Sequence, residues 1–117
     1  MAQSSPHHIV LSVLLFKEGE AWVAQALEHD LAAQGPSIEL VQRAFLSALA
    51  GQFKLDLQQR RLPLAHLQPA PMRYWHAWDQ ATAKTVVRAP SVATSDDQPT
   101  IPAYMIQAIT DAPEATQ

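Results

Sequence analysis

The run Ile9-Val-Leu-Ser-Val-Leu-Leu-Phe16 constrains the fold more than any other stretch of this chain. With the two-residue period of a strand, it puts Ile9, Leu11, Val13 and Leu15 on one face. Val10, Ser12, Leu14 and Phe16 fall on the other. Both faces are apolar, so the strand belongs in the middle of a sheet with cover on each side. It is far shorter than the ~20 apolar residues of a membrane helix.

The neighbouring segments supply the partners. Lys17-Glu-Gly-Glu20 is a polar hairpin connection in which Gly19 is free to take a positive φ. A second strand runs from Ala21 to about Leu27, with Trp22, Ala24 and Ala26 facing one way and Val23, Gln25 and Leu27 the other. Glu28-His29-Asp30 breaks the apolar pattern and reads as a bend, and Leu31–Gln34 as a short third strand. Gly35-Pro36-Ser37 then starts a helix: Pro fixes φ and Ser37 caps the free amides of the first turn. The helix is expected over Ser37–Gln59, with an apolar stripe of Ile38, Val41, Phe45, Leu49 and Phe53 and with Ala44 and Ala48 beside it. Glu39 sits at the positive end of the helix dipole and pairs with Arg43 at i,i+4. Gly51 weakens the helix, and Pro63 ends it after Arg60-Arg-Leu.

The second half is less regular. Pro63–Pro71 reads as a connector and Met72–Lys84 as a second helix with Met72, Trp75 and Trp78 on one stripe and Tyr74 next to it. Pro90–Pro102 reads as a polar linker, Ala103–Thr110 as a final strand that returns to the core, and Asp111–Gln117 as a tail. The expected fold is α+β. A small, mostly antiparallel sheet carries one long helix, with a second shorter helix and a C-terminal strand.

Composition limits the function. The chain has 117 residues, enough for one domain. It is 48% hydrophobic but only 16% charged, so either part of its surface is hidden in subunit contacts or Gln, Ser, Thr and Ala cover the outside. The net charge is -3 and the cations are spread thinly, Arg60-Arg61 with Lys54 being the densest group, so DNA binding by this chain alone is disfavoured. There is no cysteine, which removes thiol catalysis, disulfides and zinc–thiolate sites. MAQSSPHH lacks a basic residue and a signal-like cleavage region, so a cytoplasmic protein with no membrane attachment is expected, with residues 1–6 loose.

The hydrophobic strand Val10–Phe16, the Gly-containing turn Lys17–Glu20, the strand Trp22–Asp30 and the helix start Gln34-Gly-Pro-Ser-Ile-Glu39 follow in the order and spacing of the HicB-like antitoxins. The chain resembles that family over residues 7–62, which the resemblance implies to be a β-β-β-α core. Residues 63–110 are then a proline-rich extension that completes the same domain. Two features differ from the family. Leu27-Glu-His-Asp-Leu31 replaces its Pro-Asp-Leu-Pro-Gly-like segment, and residues 63–117 contain no basic recognition helix.

Catalytic and metal-binding signals are poor. Among the five histidines, only His29 beside Asp30, and His76 with Asp79 at i,i+3, have carboxylates close in sequence. Exposed polar residues explain both better. Glu28 and Asp30 share a face only if the strand continues through them. With Gly19, Gly35 and Gly51 as the only glycines, no phosphate-cradling loop exists. The reading is therefore a non-catalytic protein with no cofactor and no metal site. The family resemblance implies an antitoxin-type or regulatory binding module that pairs with itself and with a small basic HicA-like toxin. Trp22, Glu28, His29, Asp30, Gln34, Trp75 and Trp78 are the expected partner-binding residues. A self-assembling structural domain without a toxin is the alternative. A small metal-assisted hydrolase using Glu28, His29 and Asp30 ranks last. Trp75 and Trp78 have a competing role, covering the far face of their own sheet.

Overall fold

The computed structural model describes residues 9–92 and 101–113. Its strands are β1 (Ile9–Glu18), β2 (Ala21–Ala26), β3 (Ala32–Gly35), β4 (Thr85–Val92) and β5 (Ile101–Ile109), and its helices are α1 (Ile38–Gln58) and α2 (Met72–Gln80). The strands form one five-stranded mixed sheet in the order β3-β2-β1-β5-β4. Only the β1–β5 pair is parallel; the other three are antiparallel. The α+β expectation holds, and β1 is the central strand that its two apolar faces require.

Each face of β1 is covered by a different helix. Leu11, Val13 and Leu15 join Ala24, Ala26 and Met105 beneath Val41, Phe45, Leu49 and Phe53 of α1. Leu14 and Phe16 join Val23, Leu27 and Ala108 on the opposite face, where Tyr74, Trp75, Ala77 and Trp78 of α2 pack. Gln42 of α1 donates to the buried Gln107 of β5 at 2.8 Å, which satisfies a polar side chain inside the first layer.

Local chemistry sets the element ends. The hairpin is tighter than expected: β1 and β2 pair out to Glu18 and Ala21, leaving Gly19 and Glu20 as the turn, with Gly19 at φ +64°. Glycine at the first central position of a two-residue loop matches the II′ pattern. Ser37 caps α1 by accepting from the Leu40 amide at 3.2 Å. At the other end, Arg60 N–H donates to Leu57 O and Arg61 N–H to Asp56 O, the two bonds of a Schellman motif. Its left-handed position is filled by Arg60 at φ +58° instead of the usual glycine.

Three expectations change. The second helix stops at Gln80 instead of Lys84, and Met72 stands 65% exposed, off the packed stripe. Both ends of the linker read over Pro90–Pro102 are strand, because β4 runs through Pro90 to Val92 and β5 begins at Ile101, and residues 93–100 lie outside the described residues. Proline is confined to outer strands and bulges, and both cases occur here. β4 is an outer strand, and Pro102 falls where the β4–β5 register shifts between Ala89↔Ala103 and Val92↔Ile101. Residues 1–6, His7, His8, Asp96 and Asp97 lie outside the described residues.

Two glycines of the α1 region test this packing in opposite senses. A Cβ on Gly35 would meet Val41 N at 2.8 Å, a backbone atom that cannot swing aside, whereas one on Gly51 meets nothing within 4 Å. Gly35→Ala is expected to lower stability by about 1–3 kcal/mol, and Gly51→Ala to raise it by about 0.5–1 kcal/mol. Urea unfolding of the two variants checks the opposite signs. Arg60→Gly should also stabilise, by about 0.5–1 kcal/mol, because relief of left-handed strain exceeds the added freedom of the unfolded chain. The urea midpoint should rise.

Candidate binding surface

The seven expected partner-binding residues fall into three places. Trp22, the second residue of β2, packs half-buried against the α1-side core. Trp75 and Trp78 are half-buried on the opposite face, where Trp75 Nε1 donates to Ala70 O at 3.2 Å and Lys84 Nζ stands 4.9 Å from the centre of the Trp78 ring. Gln34 is exposed on β3, and as the partner of Val23 it shares the α2 side of the sheet. Glu28, His29 and Asp30 form the bend between β2 and β3. The fold thus gathers Glu28–Asp30 with Gln34 along one outer edge and sends the tryptophans into the two layers.

The bend is held from both sides. Glu28 accepts from the Ser12 amide at 2.8 Å and from Ser12 Oγ at 2.7 Å, so both of its oxygens are engaged with β1. Asp30 Oδ1 accepts from Gln25 Nε2 at 2.8 Å. The Asp30 amide donates to Gln68 O at 2.6 Å, and the Ala70 amide donates to Leu27 O at 2.9 Å. His29 Nδ1 is buried with no partner among the described residues. Glu28 and Asp30 therefore do different work: Glu28 fixes the bend, and the exposed Asp30 presents charge.

The polar group that matters most to this arrangement was not among the expected site residues. Asp56 is fully buried at the end of α1. Its Oδ2 accepts from the Leu64 amide at 2.8 Å, and its Oδ1 accepts from Gln52 at 3.1 Å and Arg61 at 3.2 Å, with His66 Nδ1 3.5 Å away. The sequence does carry the signal. The stripe 41, 45, 49, 53 continues to 56, so a carboxylate occupies an inward position and needs partners. Burial pushes the Asp56 carboxyl up, but the Leu64 amide, the Gln52 amide and the His66 and Arg61 charges together hold it below its ordinary value of 3.8.

Asp56 and His66 resemble a carboxylate–imidazole pair, yet the carboxylate is already saturated by structural donors. Among the described residues, no three His, Asp or Glu side chains gather into a group that could hold a metal ion. His76 and Asp79 are both exposed on α2. None of the described helices is long and apolar enough to cross a membrane. What the arrangement offers is shape and charge: a braced acidic bend leading into a sheet edge. Comparison of the chain with family models, curated proteins and solved structures returns no match.

Because folding lowers the Asp56 pKa, its stabilising contribution is fully present above the unfolded value near pH 4. It is lost as pH falls through the lower folded value. Asp56→Ala is expected to cost about 2–4 kcal/mol at pH 7, since it leaves the buried Leu64 amide unpaired, and Asp56→Asn about half that. The Asn variant should also lose less stability as pH falls below the unfolded value near pH 4. Urea unfolding as a function of pH checks both.

Proposed function

We propose that this chain is a non-catalytic, HicB-like binding module of the antitoxin or regulatory type. It acts by covering the working surface of a small basic partner such as a HicA-like toxin. One observation supports this most directly. Residues 28–34 lead into β3, an outer strand of the sheet, and leave Asp30, Ala32 and Gln34 exposed along it. An outer strand keeps a row of main-chain donors and acceptors for a partner to engage. The Gly19 hairpin, the short third strand and the Ser37-capped helix also follow in the order that the family resemblance implies.

Asp30 carries the electrostatic part. Its carboxylate is exposed but anchored to Gln25, so the charge projects from a fixed place. Such a charge speeds encounter with a basic partner more than it adds affinity. Glu28 contributes rigidity through Ser12 instead of charge. No step of this mechanism needs a cofactor or DNA.

Asp30→Lys is expected to slow association with a small basic ribonuclease encoded beside this chain. The on-rate should fall about tenfold at low salt and much less at high salt. Stopped-flow binding measures this. If no adjacent basic protein binds the unaltered chain, and pulldowns recover only the chain itself, the toxin-partner reading fails.

A second reading, self-assembly, rests on a different surface. Val10 is 43% exposed and Val86 is 68% exposed, and both lie with Ile106 on the α2 side of the sheet, beyond the cluster that α2 covers. A second copy would bury this strip. Light scattering that gives a monomer mass at micromolar concentration excludes it.

A further inference from the structure

We propose that the groove where β5 stops alongside β1 is a docking site for an acidic, extended polypeptide segment. The proposal goes beyond the reading above, and involves a different surface and a partner of opposite charge. β1 continues to Glu18, but β5 ends at Ile109, and the last bond between them is Thr110 N–H to Leu15 O at 3.0 Å. In a parallel pair, alternate residues turn both main-chain groups toward the same neighbour. Leu15 faces β5, so Lys17 faces the same way, into the space that β5 leaves. No main-chain group among the described residues after Thr110 bonds the Lys17 N–H or C=O. That open donor–acceptor pair is what an extended chain satisfies when it adds to a sheet.

The side chains around the gap decide what kind of chain fits. The groove has a volume of ≈ 790 Å³, within the range of ligand-binding clefts. Among the described residues, Lys17, Arg73 and His76 line it, against one carboxylate, Asp111. Bases therefore predominate here, although the whole chain carries a net charge of -3. Arg73 is already oriented. Its Nη2 donates to Tyr74 Oη at 2.9 Å, and its guanidinium carbon stands 4.5 Å from the Tyr74 ring centre. Tyr74 in turn stacks on the buried Phe16 at 6.0 Å. One of the five guanidinium donors is used, which leaves the rest for a carboxylate. Trp22 and Ile109 give the groove apolar walls for the alternate side chains of an extended segment.

The test uses a fluorescein-labelled peptide of alternating Glu and Val, the same peptide with Lys in place of Glu, and inorganic phosphate. Anisotropy and amide NMR are read on the full chain. Saturable binding of the Glu peptide, a shift of the Lys17 amide and no binding of the Lys peptide are expected. Lys17→Glu combined with His76→Glu changes two exposed side chains and should weaken the Glu peptide about tenfold, with an unchanged circular dichroism spectrum. The proposal is overturned if the Glu peptide fails to saturate at millimolar concentration, or if the double variant binds it as well as the unaltered chain. It is also overturned if phosphate displaces the label and the Lys17 amide does not move, which would make this a small-anion site.

Discussion

The carboxylate of Asp56 is the interaction on which the second half of this structure depends. It closes the end of α1 by binding the Leu64 amide and Arg61, and in doing so it turns the chain back toward the sheet. Leu64 sits at φ +65°, a left-handed conformation that a leucine rarely adopts, yet its side chain is buried in the α1-side core. The Asp56 bond and that burial offset the strain together. From Leu64 the connector runs to Gln68 and Ala70, whose main-chain groups hold the Leu27–Asp30 bend, and Ala70 O receives the Trp75 indole. One buried charge thus sets the path from α1 to the bend and on to α2.

The second constraint is the two-sided strand β1. A strand that buries both faces forces three layers, and α1 and α2 supply the outer two. Trp75 and Trp78 are committed largely to that task. The two surfaces proposed for partners therefore lie at strand edges and strand ends: β3 with its acidic bend, and the gap beside Lys17. Neither is a deep apolar pocket. Both offer main-chain groups framed by charge, one acidic and one mostly basic.

Much of the first half was legible because local and long-range requirements agree there. Gly19, Ser37 and the stripe from Val41 to Phe53 each specify the state in which they are found. The second half was harder to read for identifiable reasons. Pro90 and Pro102 suggest a linker, but their effect depends on strand position, and position comes from the sheet order. The parallel union of β1 with β5 joins residues about ninety apart and has no local signature. At the site, the acidic residues of the bend were visible, but their division of labour was not. Glu28 is tied down only because Ser12 lies across the sheet and engages both its oxygens. Asp56 was hidden because a carboxylate near a helix end is usually a solvated one; only its register with Phe53 places it inward.

For a partner bound at the bend as proposed, these contacts would couple stability to binding. The bend is made of polar residues, and it is held by Ser12 on one side and the 68–70 connector on the other. A partner that recognises Asp30 and Gln34 meets a surface already ordered, so little binding energy is spent on ordering it. Loosening the connector at Asp56 would remove one of the two supports without touching any residue of the surface. Affinity would then fall through loss of preorganisation, while the charge of Asp30 and the steered encounter rate would change little. A change at Asp56 would therefore be felt in the rate of dissociation, and a change at Asp30 in the rate of association, which separates the frame of this site from its contact residue.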